Sequence, residues 1–216
     1  MSLSQTLWKE NEDLAQVALE HRFVRGISDG TLPLENFQSY VAQDAFFLES
    51  FARAYALALA HSPDRDGMRD FADLIAGVLE ELEMHGSYAQ KWDVRLDGVV
   101  PAEATLAYTD FLLSTAALKS VGETCAAMTP CMRLYAFLGR SLAKEEGQDQ
   151  ANPYAQWIAT YSDPEFDALV ATLERLLDRY ASDTPGTRSA YRRAMELEIA
   201  FFEANYDAKI RSSGHE

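Results

Sequence analysis

The sequence predicts an all-α fold, a bundle of about eight helices. Apolar residues recur at intervals of three and four along most of the chain, as expected for helices that bury one face. No segment shows the strict alternation of apolar and polar residues that is typical of a half-buried strand. Proline, which is favoured in the first turn of a helix, stands where such periodic stretches begin, at Pro33, Pro101, Pro153 and Pro164.

Composition limits the class of protein. The 216 residues, 48% of them hydrophobic, suffice for one substantial core, and no linker rich in Pro, Gly or Ser divides them, so we expect one domain over residues 1–216. A net charge of −15 repels phosphate backbones and anionic lipid, so we expect no nucleic-acid or membrane partner. No apolar run is long enough to span a bilayer, and two cysteines cannot form a disulfide framework. We therefore expect a cytoplasmic protein with reduced thiols.

The helices are predicted in order from their periodicity and their start and stop signals. Residues 5–20 predict an opening helix that ends near Gly26. Two long helices are expected next, one from Pro33 to the Ser62-Pro63 pair and one over residues 64–91. Another begins at Pro101, with an end or a bend at Gly122. The remaining predictions are a helix to about residue 146, a polar loop at 147–152, and helices over 153–161, 163–180 and 184–207.

Two carboxylates interrupt apolar helical faces. Asp44 shares a face with Phe47, Phe51 and other apolar residues at helical spacing. Because burying an unpaired charge is costly, Asp44 must either reach solvent at the helix edge or bind something in a pocket, and the sequence leaves both open. Glu198 has Phe201 and Phe202 within one turn, so we expect burial to raise the pKa of its carboxyl.

Cys131 lies in a second unusual setting. Thr129 could be a helix N-cap and Pro130 the first helical residue, which would place Cys131 in a first turn where a thiolate is favoured. If the helix instead runs through, Pro130 kinks it and leaves a free carbonyl beside the thiol. A third interpretation is a buried core cysteine, and we interpret Cys125, in an uninterrupted apolar run, in that way.

The histidines point less clearly to a site. Glu81 and His85, four residues apart, could in principle bind a metal, but no Glu-x-x-His arrangement of the di-iron type is present, and we interpret His85 as a surface or buttressing residue. His21 near the end of the opening helix would suit a haem ligand, yet a lone histidine is more often structural.

A thiol and two carboxylates together would supply a nucleophile and acid/base partners. Aromatic residues in the helical faces suit a flat heteroaromatic ligand, and a carboxylate suits its ring nitrogen or amino group. Packing alone is the alternative explanation for an aromatic such as Tyr108. No phosphate-binding glycine loop and no cofactor motif is present. The aromatics concerned are Phe47, Phe51, Tyr108, Tyr135 and Phe201.

An ordered series of motifs resembles the TenA/thiaminase II family over nearly the whole chain. Within that family, residues 80–85 and 129–139 are most similar to the TenA domain that plants fuse to a phosphatase. The motifs are His21-x-Phe23-Val24, Gly30-Thr31-Leu32-Pro33, Gln43-Asp44-x-x-Phe47-Leu48, Ala107-Tyr108-Thr109, Thr129-Pro130-Cys131-Met132-Arg133-Leu134-Tyr135, Trp157-Ile158-x-x-Tyr161 and Leu197-Glu198-x-x-Phe201-Phe202.

The resemblance implies a haem-oxygenase-like helical fold, usually tetrameric, that hydrolyses thiamin-derived aminopyrimidines in thiamin salvage without a metal or organic cofactor. It implies that Cys131 is the nucleophile, that Glu198 is the acid/base, and that Asp44 holds the pyrimidine amino group and a ring nitrogen. It further implies that Tyr108, Tyr161 and Phe201 line the ring, and we expect Phe47 and Tyr135 in the same pocket.

One position departs from the family pattern. Phe47 stands where many members have a tyrosine, so no hydroxyl is available there near the thiol, and deamination is expected in preference to cleavage of intact thiamin. Two other classes remain as alternatives. A non-catalytic pyrimidine-binding protein would need only the acidic and aromatic pocket, and a haem or di-iron oxygenase would need ligands that this sequence supplies poorly.

Overall fold

The computed structural model describes residues 1–145 and 152–206, which form ten α-helices and no strand, so the all-α prediction is confirmed. The helices are α1 (Leu3–Glu10), α2 (Glu12–Glu20), α3 (Arg22–Ser28), α4 (Leu34–His61), α5 (Arg65–Trp92), α6 (Glu103–Leu118), α7 (Val121–Ala143), α8 (Ala155–Tyr161), α9 (Pro164–Tyr180) and α10 (Pro185–Tyr206). Among the described residues, none of the helices combines the length and the apolar composition required to cross a bilayer.

The first 28 residues form three short helices, so the prediction of one opening helix is wrong. The chain turns at Asn11, which ends α1, and again at His21. His21 caps α3, because its Nδ1 accepts a hydrogen bond from the Phe23 N–H at 3.1 Å. Its Nε2 lies 2.7 Å from Glu203. The interpretation of His21 as a structural residue is therefore confirmed.

The long helices follow their sequence signals. α4 ends at His61, directly before the Ser62-Pro63 pair, and α5 starts after Asp64, whose carboxylate accepts from the Gly67 N–H at 2.9 Å. α9 begins at Pro164 and α10 begins at Pro185, each within one residue of the predicted start. The loop predicted at 147–152 lies outside the described residues except for Asn152, and so does the predicted last helical residue, Asp207.

α7 begins well before Cys131. The Ser120 hydroxyl accepts from the Glu123 N–H at 3.2 Å, and the Glu123 carboxylate returns to the backbone of Ser120, which together form a capping box. Thr129 is not an N-cap, because its hydroxyl donates to the Cys125 carbonyl at 2.7 Å. Pro130 lies inside the helix. The expectation of Cys131 in a first turn is therefore wrong, and the alternative of a helix that runs through Pro130 is confirmed.

α7 packs against α2, α4, α6, α8, α9 and α10, while α4 packs against α5 and α6. Glycines allow two of these close approaches. A Cβ at Gly122 would lie 2.4 Å from the Tyr180 carbonyl oxygen, so Gly122 marks contact with the end of α9 rather than an end or a bend. A Cβ at Gly139 would lie 2.4 Å from the backbone of Tyr161. Gly139 thus lets the end of α8 lie directly on α7, which brings Tyr161 to the centre of the bundle.

Candidate active site

A small cavity lies where α4, α5, α7, α8 and α9 meet. It is lined by both polar and apolar side chains, namely Asp44, Phe47, Leu48, Phe51, Glu81, Cys131, Met132, Tyr135, Tyr161 and Phe166. Five of the eight residues that the sequence assigned to the site lie in this lining: Asp44, Phe47, Cys131, Tyr135 and Tyr161. The other three, Tyr108, Glu198 and Phe201, contact lining residues from α6 and α10.

Cys131 and Glu198 form one side of the site, which we name the thiol pair. Their side chains lie close to each other, although they come from α7 and α10. The Tyr108 hydroxyl on α6 donates to Glu198 Oε1 at 2.7 Å. The Glu198 side chain is buried. Its two described neighbours in the site are a phenol and a thiol, and both are neutral groups.

The surroundings raise the pKa of both members of the thiol pair. Loss of solvation raises the pKa of Glu198 to about 8, although the hydrogen bonds from Tyr108 and Cys131 oppose the shift. The prediction of a raised pKa for Glu198 is thus confirmed. For Cys131, loss of solvation followed by the nearby negative charge of Glu198 raises the pKa well above its usual value. The expected ready thiolate is therefore wrong, and the thiol needs a proton acceptor, for which Glu198 is in place.

Asp44 and His85 form a second pair, the Asp–His pair. Asp44 is 4% exposed and does not reach solvent at the helix edge, so the pocket alternative holds. Asp44 Oδ2 lies 2.7 Å from Nε2 of His85 on α5. His85 is itself buried, and its Nδ1 lies 2.9 Å from the Glu81 carbonyl oxygen one turn earlier. The buttressing interpretation of His85 is confirmed, and the surface interpretation is wrong.

The charges around the Asp–His pair oppose one another. Burial lowers the pKa of His85, but the hydrogen bond and charge of Asp44, together with the charge of Glu81, raise it overall to about 9. Loss of solvation and the charge of Asp44 raise the pKa of Glu81 to about 7, against the opposing effects of His85 and of Tyr161. The Tyr161 hydroxyl donates to Glu81 Oε1 at 2.6 Å. His85 is thus the cation of a region that holds several carboxylates.

Aromatic rings enclose the polar groups. The Phe47 ring lies 4.8 Å from the Tyr108 ring and 6.0 Å from the Phe201 ring, measured between centroids. The Tyr135 and Tyr161 rings meet edge to face at 4.8 Å. Tyr108 therefore packs in the core and also holds Glu198, so the packing explanation accounts for only part of its role. These walls present flat apolar faces to a ring-shaped ligand.

Glu81 and His85 were not among the predicted site residues. Their spacing of four places both on one face of α5, and this signal was present in the sequence. It does not reveal that this face packs against α4 at Asp44, because that contact spans 41 residues. The other cysteine behaves as predicted. Cys125 is buried in the core, and burial raises the pKa of its thiol.

Comparisons with known proteins identify the family and the fold of the chain. A model of the TENA/THI-4/PQQC family matches residues 8–208. The chain is 35% identical to a bifunctional TH2 protein, mitochondrial, of Arabidopsis thaliana, over 94% of this chain but 37% of that protein. It is 29% identical to an aminopyrimidine aminohydrolase of Halalkalibacterium halodurans, over 97% of this chain and 98% of the other. A TenA homologue from P. horikoshii OT3 superimposes with a TM-score of 0.88 at 25% identity, covering 95% and 99% of the two chains.

Proposed function

Because the chain belongs to the TENA/THI-4/PQQC family, we propose that it is an aminopyrimidine aminohydrolase of thiamin salvage. The proposed reaction converts 4-amino-5-aminomethyl-2-methylpyrimidine and water into the 5-hydroxymethyl pyrimidine and ammonia. The Halalkalibacterium halodurans relative of that name matches nearly the full length of both chains and supports the assignment.

The observation that carries the proposal is the close approach of Cys131 and Glu198 beside the cavity that Asp44 lines. A nucleophile and an acid/base must be within hydrogen-bond reach of each other for covalent catalysis. Asp44 supplies the recognition element, because a carboxylate accepts hydrogen bonds from the exocyclic amino group of the pyrimidine and from a protonated ring nitrogen. Phe47, Tyr108, Tyr135, Tyr161 and Phe201 enclose the ring.

In the first half of the reaction, Cys131 Sγ bonds to the ring carbon that bears only hydrogen, next to the carbon that bears the aminomethyl group. The thiol proton passes to the Glu198 carboxylate, and the electron pair of a ring C=N bond moves onto nitrogen. The adduct is an enamine, so electrons from the 4-amino group expel the substituent as the methylene C–N bond breaks. Glu198 returns its proton to the departing nitrogen, which leaves as ammonia.

In the second half, water adds to the exocyclic methylene and forms the new C–O bond, while its proton passes to Glu198. The electron pair of the methylene double bond returns to the 4-amino nitrogen. The pair that the ring nitrogen gained in the first half then re-forms the ring C=N bond as the S–C bond breaks, which restores the aromatic ring. Glu198 gives the proton back to the Cys131 sulfur, so both residues end in their starting forms. The covalent adduct thus divides one difficult substitution into two easier steps.

A parallel turnover assay tests the proposal, with the aminomethyl pyrimidine, its N-formyl derivative and thiamin as substrates. We expect the aminomethyl pyrimidine to be converted fastest, with stoichiometric release of ammonia. Tight binding of the aminomethyl pyrimidine without turnover would contradict the proposal and favour a non-catalytic binding protein.

The missing hydroxyl at Phe47 bears on the choice of substrate. The Phe47 ring lies in the cavity lining and carries no group that could donate to the sulfur of Cys131. We therefore propose that thiamin, which is the more demanding substrate, is cleaved more slowly than the aminomethyl pyrimidine is deaminated. The same assay with Phe47→Tyr should raise the thiamin rate relative to the deamination rate.

We also propose a homotetramer in the cytoplasm. Met68 and Leu79 lie three turns apart on one face of α5 and are 44% and 52% exposed, which favours burial between subunits. Both cysteines are free, and a catalytic thiol needs a compartment that keeps it reduced. Sedimentation at micromolar concentration tests the assembly, and a monomer would contradict it.

A further inference from the structure

His85 takes no part in the steps above, yet it is 1% exposed and fixed at both ring nitrogens. Nδ1 lies 2.9 Å from the Glu81 carbonyl oxygen, and a carbonyl oxygen only accepts hydrogen bonds. Nδ1 must therefore carry a hydrogen. Nε2, 2.7 Å from Asp44 Oδ2, then has two options: it accepts from a protonated Asp44, or it donates to an Asp44 carboxylate as part of an imidazolium cation.

The surroundings decide between these options. No lysine or arginine lines the described cavity, while the negative charges of Asp44 and Glu81 both act on His85. A cation is favoured there, in agreement with the raised pKa of His85. The Asp–His pair is therefore an imidazolium with its carboxylate counter-ion. The titratable groups around it are Tyr40 on α4, Glu81 on α5, Cys131 and Tyr135 on α7, Tyr161 on α8 and Glu198 on α10.

We propose that His85 is a positioning residue that holds Asp44 as a carboxylate and thereby makes the site select 4-aminopyrimidines against their 4-oxo analogues. The inference rests on the proposed function, because it assigns the ring substituent that Asp44 recognises. A carboxylate can only accept hydrogen bonds, so an oxo group facing Asp44 would meet a second acceptor. An amino group instead meets the acceptor it needs, and rejecting a mismatched polar group is an efficient source of specificity.

Removal of the cation should relax this selection. In His85→Gln the amide can still donate to Asp44 but carries no charge, so Asp44 would remain buried beside the carboxyl of Glu81 with no lysine or arginine in the cavity lining. It would take up a proton there. A carboxylic acid both donates and accepts, so it can pair with the oxo group and the ring N–H of a 4-oxo pyrimidine. The 4-oxo ligand should therefore gain affinity.

The test is calorimetric titration with the 5-hydroxymethyl 4-aminopyrimidine product and with its 4-oxo analogue at neutral pH. For His85→Gln we expect the ratio of amino to oxo affinity to fall by about tenfold or more, the difference between a charged and a neutral hydrogen bond. His61→Gln, an exposed histidine on α4, is the matched control and should keep the wild-type ratio.

A double-mutant comparison shows whether His85 acts through Asp44. Asp44→Asn already offers one donor and one acceptor, so adding His85→Gln to it should leave the ratio unchanged within about twofold. A merely structural role would instead reduce the affinity for both ligands equally, in both backgrounds. That result, or an unchanged ratio in His85→Gln, would overturn the proposal about His85 alone. A wild-type protein that binds neither pyrimidine would overturn the proposed function as well.

One measurement needs no substitution. Nitrogen NMR distinguishes an imidazolium from a neutral imidazole, and we expect both ring nitrogens of His85 to be protonated at neutral pH, with the proton lost only as the pH approaches about 9. A neutral His85 at neutral pH would contradict the inference even if His85→Gln proves too unstable to study.

Discussion

Asp44 and Glu198 are two buried carboxylates of one site, 4% and 2% exposed, but their partners differ. Asp44 faces His85, a donor that can carry a positive charge. Glu198 faces a phenol and a thiol, which donate hydrogen bonds without balancing a charge. Loss of solvation therefore dominates at Glu198 and raises its pKa to about 8.

The comparison teaches that the charge of the partner, rather than the depth of burial, decides what a buried carboxylate can do. A carboxylate opposite a cation is a fixed acceptor, which suits recognition of a ligand. A carboxylate with neutral partners and a pKa near the working pH exchanges a proton readily, which suits acid/base catalysis. On this basis, substitutions at the thiol pair should change the rate, and substitutions at Asp44 should change binding.

The largest effect is expected at Cys131. Cys131→Ser keeps nearly the same shape, but a hydroxyl is far less acidic and less nucleophilic than a thiol, so the ring adduct should not form. The rate should fall by at least about a thousandfold, while affinity for the product pyrimidine stays within about tenfold because Asp44 is untouched. Single-turnover kinetics and calorimetry measure the two quantities separately.

Cys125→Ser is the control on the same helix. Cys125 is buried in the core away from the cavity lining, so its loss should reduce stability modestly and leave activity in place. The division between the two cysteines would be wrong if Cys131→Ser kept substantial activity on every aminopyrimidine tested, or if Cys125 proved to be the essential thiol.

Glu198→Gln should give the next largest effect, a loss of roughly a hundredfold to a thousandfold in kcat/KM, as for removal of a general acid/base. In the active form of the thiol pair, Cys131 carries a proton and Glu198 is an ionised carboxylate that can accept it. Wild-type kcat/KM should therefore rise as the pH increases through about 8, where free Glu198 loses its proton. The glutamine variant should lack this rise.

The pH profile is best measured with the N-formyl substrate, whose leaving nitrogen does not titrate near neutral pH. Glu196→Gln, an exposed glutamate on the same helix, should retain the wild-type profile. A rise through pH 8 that persisted in Glu198→Gln would show that another group accepts the thiol proton.

Much of this comparison could be anticipated from sequence. Helical spacing alone shows that Asp44 and Glu198 each interrupt an apolar face, and it correctly predicts a raised pKa for Glu198. It does not identify their partners. The contacts of Asp44 with His85 and of Tyr108 with Glu198 join residues 41 and 90 positions apart, and they depend on how the helices pack.

The setting of Cys131 shows how two local signals can compete. Thr129 and Pro130 resemble a helix start, but Ser120 and Glu123 form a capping box that starts the same helix nine residues earlier. Both signals are visible in the sequence, and the packing of α7 against six other helices overrides the cost of one internal proline. Cys131 therefore does not lie in the first turn of a helix, and loss of its thiol proton depends on Glu198 as the acceptor.

Asp44→Asn should act on binding. The amide retains the shape of Asp44 but replaces charge-assisted hydrogen bonds to the pyrimidine with neutral ones, so affinity should weaken by about 1.5 to 3 kcal/mol while the fold survives. Calorimetry with the product pyrimidine gives the loss, and circular dichroism checks the fold. Glu49→Gln, an exposed residue on the same helix, should bind normally. Unchanged affinity in Asp44→Asn would remove Asp44 from ligand recognition.

The smallest effect is expected at Glu81, which is intermediate between the two carboxylates because it has both a neutral donor, Tyr161, and the nearby cation of His85. Its pKa of about 7 lies above the 4.5 of an unfolded glutamate, so the folded protein binds more protons between these pH values. This contribution lowers the free energy of unfolding as the pH rises from about 4.5 to 7. His85 and Glu198 add slopes of the same sign, since the pKa of each is also raised on folding.

In Glu81→Gln the part due to Glu81 disappears. Between about pH 5 and pH 8, the decrease in the free energy of unfolding should therefore be about 1 to 2 kcal/mol smaller in this variant than in wild type. Urea unfolding at the two pH values measures the difference, with the exposed Glu83→Gln on the same helix as the control. Equal slopes in wild type and Glu81→Gln would mean that the His85 cation holds Glu81 ionised across this range, which would place it with Asp44 among the fixed acceptors.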